Sequence, residues 1–153
     1  MCIRDSLVGS VTEKLTAVVK SGSEGFWVIA HGWNNSLFYV YDLNCEGLNH
    51  EPSTFSLGSQ HSGGNNNINA VGYMKASPNG KKLALINRTI DDVELFDFDN
   101  VNGRITNASV IEVNSASLYG IEFSTSNNFI FIADVDKIIR PVSYTHLTLP
   151  TKA

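Results

Sequence analysis

The chain has 153 residues and a formal charge of −4, which argues against a nucleic-acid footprint, since that needs clustered Lys and Arg. With 42% hydrophobic and 17% charged residues it has the composition of a globular chain, not a disordered one. No apolar run approaches the roughly 18 residues of a membrane-spanning helix, so no membrane span is expected.

Lys14–Val19 (KLTAVV) is a β-branched run, followed by turn-forming residues at Ser21–Gly25. Phe26–His31 (FWVIAH) is an apolar strand ending at Gly32. Trp33–Ser36 (WNNS) is a turn, and Leu37–Leu43 (LFYVYDL) is the next strand. Asn44–Gly47 closes a hairpin towards a weak strand near Thr54–Leu57, completing one irregular four-strand set. Gly58–Asn69 (GSQHSGGNNNIN) has no periodicity and reads as a solvated loop between sets.

The clearest stretch is Gly72–Val113, with strands at Val71–Ala76, Lys82–Asn87, Val93–Phe98 and Thr106–Val113. Ser77–Lys81 (SPNGK) supplies Pro for a φ near −65° and Asn-Gly for positive φ, and Asn102-Gly103 repeats that turn chemistry. Lys82–Asn87 and Val93–Phe98 do not alternate between apolar and polar, as strands covered on both faces do not. A third set starts with Ser117 and LYGIEF, turns at Ser124–Asn127, continues as Phe129–Ala133 and opens a further strand at Lys137–Arg140.

The sets repeat. Gly72 and Gly120 are 48 residues apart, Ser77 and Ser124 are 47 apart, and Asp42 and Asp97 are 55 apart across the Asn-rich loop. Periods of about 40–50 residues with about four strands each belong to propellers. A β-sandwich also suits many short strands, but the internal repeat favours the propeller. The fold class is therefore all-β: antiparallel four-stranded blades forming a partial β-propeller of about two and a half blades, placed roughly at 14–58, 70–113 and 117–140.

ASPNGKKLALI and FSTSNNFIFIA resemble the turn-and-strand signature of YVTN and WD40-like propeller repeats, although no Trp-Asp or Gly-His hallmark is present. More narrowly, the ordered set from EKLTAVV to LYGIEFS resembles the propeller region of secreted bacterial surface proteins of the gliding-motility-associated sorting-domain type. That resemblance implies a secreted or cell-surface location. The two ends resemble something else. Met1–Ser6 (MCIRDS) and Val142–Ala153 (VSYTHLTLPTKA) look like translations of a transposon-based sequencing adapter, read in opposite directions. On that reading the native segment is 7–140, a piece of a longer protein with Cys45 as its lone cysteine. Bare terminal blades are then expected to make it poorly soluble.

His31 and Trp33, flanking Gly32, are the most conspicuous polar–aromatic pair. They are the candidate ligand-binding residues, able to stack on a sugar or a peptide side chain. The plainer alternative is that Trp27 or Trp33 fills the gap between blades and His31 satisfies a turn. His50, Glu51 and His61 match no metal-ligand spacing and read as solvated loop residues. Asp134 and Asp136 read as a turn, as does the Asp91-Asp92 tip. No catalytic motif, metal site or cofactor site is expected. The first functional reading is a non-enzymatic binding or scaffolding module with a protein or carbohydrate at the propeller face. The alternative is part of a lactonase-like YVTN-type enzyme acting on a sugar-derived substrate. Such an enzyme would need His, Glu or Arg pointing inward near equivalent first-strand ends in successive blades; those strands offer Thr16, Lys75 and Glu122, which do not repeat a chemical type.

Overall fold

The computed structural model describes residues 7–88, 90–113, 117–135 and 139–144. Its strands form three antiparallel sheets in chain order. In the first, β1 (Val11–Val19), β2 (Phe26–Gly32) and β3 (Asn35–Asn44) follow one another. The short β4 (Gly47–Leu48) and β5 (Ser53–His61) both pair with β3. The second holds β6 (Met74–Ala76), β7 (Lys82–Asn87), β8 (Asp92–Asp99) and β9 (Arg104–Glu112) in simple meander order. The third holds β10 (Leu118–Phe123), β11 (Phe129–Asp134) and β12 (Ile139–Ser143). The sheets stack face to face, with β1, β6 and β10 side by side at one edge. This is a partial β-propeller with its inner strands towards the axis.

Two apolar layers hold the stack. Val18, Ile29, Phe38 and Val40 of the first sheet meet Met74, Leu83, Leu85, Phe96, Phe98 and Ile105 of the second, with Trp27 and Ala76 packed alongside. Ala84, Ile86, Val93, Leu95 and Ile111 of the second meet Leu118, Ile121, Phe123, Ile130 and Ile132 of the third. Because side chains alternate along a strand, β7 sends Leu83 and Leu85 into one layer and Ala84 and Ile86 into the other. All four are fully buried. The missing alternation over Lys82–Asn87 is thus the mark of a strand with two covered faces.

The turns repeat atom by atom. Ser77 N–H donates to Lys82 O at 2.9 Å and Ser124 N–H to Phe129 O at 2.9 Å. Each serine Oγ also accepts the N–H of that same partner residue. Gly80 (φ 68) and Asn127 (φ 57) take the left-handed position three residues on. Asn79 N–H donates to Asn127 Oδ1 at 3.0 Å, tying one turn to the next. Gly103 (φ 66) closes the β8–β9 hairpin against Trp27, whose ring would lie 2.8 Å from an added Cβ. Trp27 therefore fills the gap between blades, and its Nε1–H donates to Asn100 O.

Three features depart from the sequence expectations. The fourth strand of the first blade extends through Gly58 to His61, so the Asn-rich loop begins later and contains a 3-10 turn, Asn65–Ala70. Gly72 and Gly120 are not equivalent. Met74↔Leu85 and Ile121↔Ile132 hold matching places 47 residues apart, which sets Gly120 against Tyr73, and the third sheet has a register irregularity between Leu118 and Gly120. The last strand runs past Arg140: Val142 pairs with Ile130, and Tyr144 stacks edge-on against Phe123. Pro141 is tolerated there because β12 is at the edge of the described sheet. Residues 1–6 and 145–153 lie outside the described residues.

Candidate functional site

The two residues nominated from sequence are placed differently. Trp33 is half-buried, and its backbone N–H donates to Ser10 O. His31 is 1% exposed and points into the first inter-blade layer, so it cannot stack on a ligand at the surface. Its Nδ1–H donates to Gly32 O at 2.8 Å, and its ring is edge-on to Phe38 and 4.4 Å from the ring of His61. His61 is likewise wholly buried at the end of β5, not in a solvated loop as its sequence neighbours indicate.

Around these two histidines lies a closed polar network. His61 Nε2–H donates to Glu94 Oε2 at 2.9 Å, and Ser59 N–H donates to Glu94 Oε1 at 2.6 Å. Lys14 Nζ donates to the carbonyls of Asn69 at 2.7 Å and Val71 at 3.3 Å. Lys14 thereby fastens the inter-blade loop to β1. Burial pushes the Lys14 ammonium down to about 8 against the pull of Glu13 and Glu94. Burial, reinforced by His61, pushes His31 down to about 3. It also lowers His61, although the Glu94 hydrogen bond opposes the shift. For Glu94, burial acts upward, but hydrogen bonds from His61 and Ser59 hold the carboxyl below its ordinary value. The histidines are thus neutral and Glu94 is ionised at neutral pH. Among the described residues His61 Nδ1 and Asn69 Oδ1 have no hydrogen-bond partner. The network is sealed from solvent, so its part is structural.

The accessible chemistry lies where the inner strands of the second and third sheets meet. Tyr73 N–H donates to Tyr119 O, and the two exposed rings are 5.3 Å apart. Arg88, just after β7, holds its guanidinium 5.8 Å from the Tyr119 ring, and Lys75 Nζ sits 5.7 Å from that of Tyr73. Tyr73, Arg88, Tyr119, Gly120, Ala133, Asp134 and Val135 enclose a cleft of about 560 Å³. A smaller hollow of about 250 Å³ continues from Tyr73 and Lys75 to Glu13 and Leu15 of β1. The ionisable residue that lines this hollow from β1 is therefore Glu13, beside Leu15, whereas Thr16 is half-buried. Lys75 reaches Glu122 at 3.0 Å. Asp91, on the β7–β8 turn, has its carboxyl raised by burial despite the Leu118 backbone and Arg88.

Sequence reasoning passed over Tyr73, Arg88 and Tyr119 because none belongs to a spaced motif; the sheets bring them together. Lys14 and Glu94 did carry a signal. Lys14 shares strand parity with buried Val18, and Glu94 stands in a strand covered on both faces, where a charge requires a partner.

No family model and no curated protein matches the chain. Solved structures do. The chain is similar to a periplasmic gluconolactonase from Pseudomonas aeruginosa at 17% identity and a TM-score of 0.57, over 78% of this chain and 32% of that one. A candidate 6-phosphogluconolactonase from Bacteroides uniformis matches at 14% identity and a TM-score of 0.55, over 85% and 39%. A further one from Bacteroides fragilis matches at 14% and 0.54, over 83% and 37%. At these identities the likeness is one of fold. The chain spans between 32% and 39% of the length of these three structures. Among the described residues no helix is long and apolar enough to cross a membrane.

Proposed function

We propose that the chain forms part of a lactonase-like propeller whose axial cleft binds and opens a sugar-derived lactone. The observation that carries this reading is the grouping of two exposed tyrosines, one arginine and one aspartate around a single cleft at the inner strands. Tyr73 and Tyr119 offer faces for a sugar ring. Arg88 is placed to hold the lactone carbonyl and the negative charge that develops on it. Asp134 is the group in the cleft able to take a proton from water. The water oxygen then bonds to the carbonyl carbon, the ring C–O bond breaks, and the leaving oxygen takes up the proton.

The likeness in fold to proteins named as lactonases supports the same reading. The test is hydrolysis of glucono-δ-lactone by the wild type, Asp134→Asn and Arg88→Ala. Asp134→Asn is expected to lower kcat/KM by roughly 10²–10⁴. Wild-type turnover no faster than the buffer rate, or a rate unchanged in both variants, would sink it.

A second reading, a non-enzymatic binding module, draws on a specific observation. Exposed Glu13, half-buried Lys75 and exposed Glu122, on three successive inner strands, alternate in charge and do not repeat a catalytic type. It predicts that a sugar acid binds wild type and Asp134→Asn equally, with turnover by neither. On either reading we take the chain as blades at roughly 14–58, 70–113 and 117–140 of a longer exported protein, with adapter-derived ends. The periplasmic origin of one similar structure supports export. Resequencing the locus through both ends tests this, and native codons for MCIRDS or VSYTHLTLPTKA would refute it.

A further inference from the structure

The turn that carries Arg88 reaches across to the neighbouring blade. Arg88 follows β7 and Asp91 precedes β8, so both belong to one hairpin tip. Asp91 takes the left-handed conformation, φ 52, which Asp and Asn tolerate better than other side chains. Its carboxyl lies against the backbone N–H of Leu118, outside its own sheet. Leu118 is buried and is the first residue of β10, an edge strand of its described sheet. An N–H on the open side of such a strand needs an acceptor from elsewhere.

Tyr119 comes next in β10, with its ring 5.8 Å from the Arg88 guanidinium. The tip is thus held at two points one residue apart, Asp91 on the Leu118 backbone and Arg88 on the Tyr119 ring. Tyr73 N–H adds a backbone bond to Tyr119 O at 3.2 Å. Charge couples the two points. Arg88 favours the ionised form of Asp91, whereas Asp134, opposite Leu118 in register, and Asp92 oppose it. Among the described residues Asp91 Oδ1 is buried with no hydrogen-bond partner. The Leu118 N–H and Arg88 are therefore what offsets the burial of this carboxylate.

We propose that Asp91 is a positioning residue of the cleft: its carboxylate latches the β7–β8 tip to β10 and so fixes the Arg88 guanidinium over Tyr119. Asp91 does not line the cleft, so it acts through Arg88. The effect on turnover rests on the lactonase reading; the latch itself does not. Because Asp91 titrates, the latch is tied to pH. Burial holds the carboxyl above its ordinary value of 3.8, so it takes up its proton at a higher pH than a free aspartate. Protonation removes the charge that attracts Arg88 and weakens the bond from the Leu118 N–H. Arg88 then loses its anchor beside Tyr119.

The test uses the full chain and two variants that suit a positive φ. Asp91→Asn keeps the shape and an acceptor oxygen without the charge, and Asp91→Gly keeps neither. The first readout is the NMR resonance of the Arg88 Nε–H, which the Tyr119 ring current displaces. In the wild type it is expected to step towards its free-arginine position as pH falls, with a midpoint above that of an ordinary aspartate. Asp91→Asn is expected to hold it near the acid position at every pH, and Asp91→Gly to release it fully. The step is expected to persist in Asp134→Asn and Asp92→Asn. The second readout is glucono-δ-lactone hydrolysis. Both Asp91 variants are expected to lower kcat/KM by roughly 10–10²-fold. That deficit should shrink towards acid pH, where the wild type is itself unlatched.

An Arg88 resonance that ignores pH and both Asp91 variants overturns the proposal. So does a step that survives in Asp91→Asn or vanishes in Asp134→Asn or Asp92→Asn. If the Asp91 variants fail to fold, the wild type decides: the Leu118 amide and the Arg88 Nε–H must titrate with one shared midpoint, and separate midpoints or none overturn the latch. These resonances are read without turnover. A wild type that hydrolyses no lactone sinks the lactonase reading, and the spectrum still decides the latch.

Discussion

The two inter-blade layers solve the same packing problem with different chemistry. The layer between the second and third sheets is built on an apolar cluster, with the Asp91 carboxyl at its margin beside Leu118. The layer between the first and second is apolar over most of its area, yet it carries Lys14, His31, His61 and Glu94, each no more than 2% exposed. Apolar stacking is non-directional and tolerates small slips, so the second layer depends on its turns and on the Tyr73–Tyr119 backbone bond for alignment. The first layer adds bonds that work only in one register. Glu94 on β8 must meet His61 on β5, and Lys14 on β1 must meet the carbonyls of the loop that joins the sheets. Burying such a group is costly unless it is paired. The first layer thus gains definition and, through these four groups, becomes sensitive to pH.

The largest expected break in this comparison is Glu94→Ala. It leaves His61 Nε2–H and Ser59 N–H without an acceptor and removes one of the carboxylates whose charge favours the Lys14 ammonium, and should cost about 1–3 kcal/mol in urea unfolding. A loss below about 1 kcal/mol would show that the network contributes little.

Acid comes next. His31 is held at about 3, below its unfolded value. The unfolded chain therefore binds more protons, and stability falls as pH drops through the ordinary histidine value of about 6.5, by roughly 1.4 kcal/mol per pH unit. His61 and Glu94, also lowered, add losses of the same sign. Lys14, lowered to about 8 from 10.5, acts at the alkaline end, where stability should rise over that window as the unfolded amine alone stays charged. Thermal melts of the wild type and His31→Gln across pH check both windows; an acid slope unchanged by His31→Gln would remove His31 from the account.

Ile130→Val in the apolar layer should cost about 0.5–1.5 kcal/mol, and by the same amount at pH 7.5 and 5. A pH-dependent cost would blur the distinction drawn between the layers. The smallest effect is expected for Asp97→Asn, whose partner Lys82 is half-exposed at the blade end, at about 0–1 kcal/mol. A larger loss would mean that the hydrogen bond from Asn107 to Asp97 matters as well.

Much of the architecture is legible in the residues. SPNGK and STSN mark equivalent turns because proline, Asn-Gly and a lone Asn fix backbone angles locally. The β7 and β8 runs announce two covered faces by failing to alternate. The site was less legible. His31 drew attention as a polar residue beside an aromatic, but its strand parity with Ile29 places it in the interior layer. Parity could have shown this, as it could have for Lys14, had the inward face of β1 been known. Arg88 and Tyr119 are 31 residues apart in different blades, and no local pattern links them.

The sequence by itself determined the strands, the turns and the repeat, because each rests on interactions within a few residues: fixed φ, alternation and hairpin closure. The tertiary structure decided which face of each strand meets which neighbour. On that depended the pairing of Glu94 with His61 and the cleft of Tyr73, Arg88, Tyr119 and Asp134. Those outcomes depend on how whole sheets dock, and a residue's partners across a sheet interface leave no mark in the residues beside it.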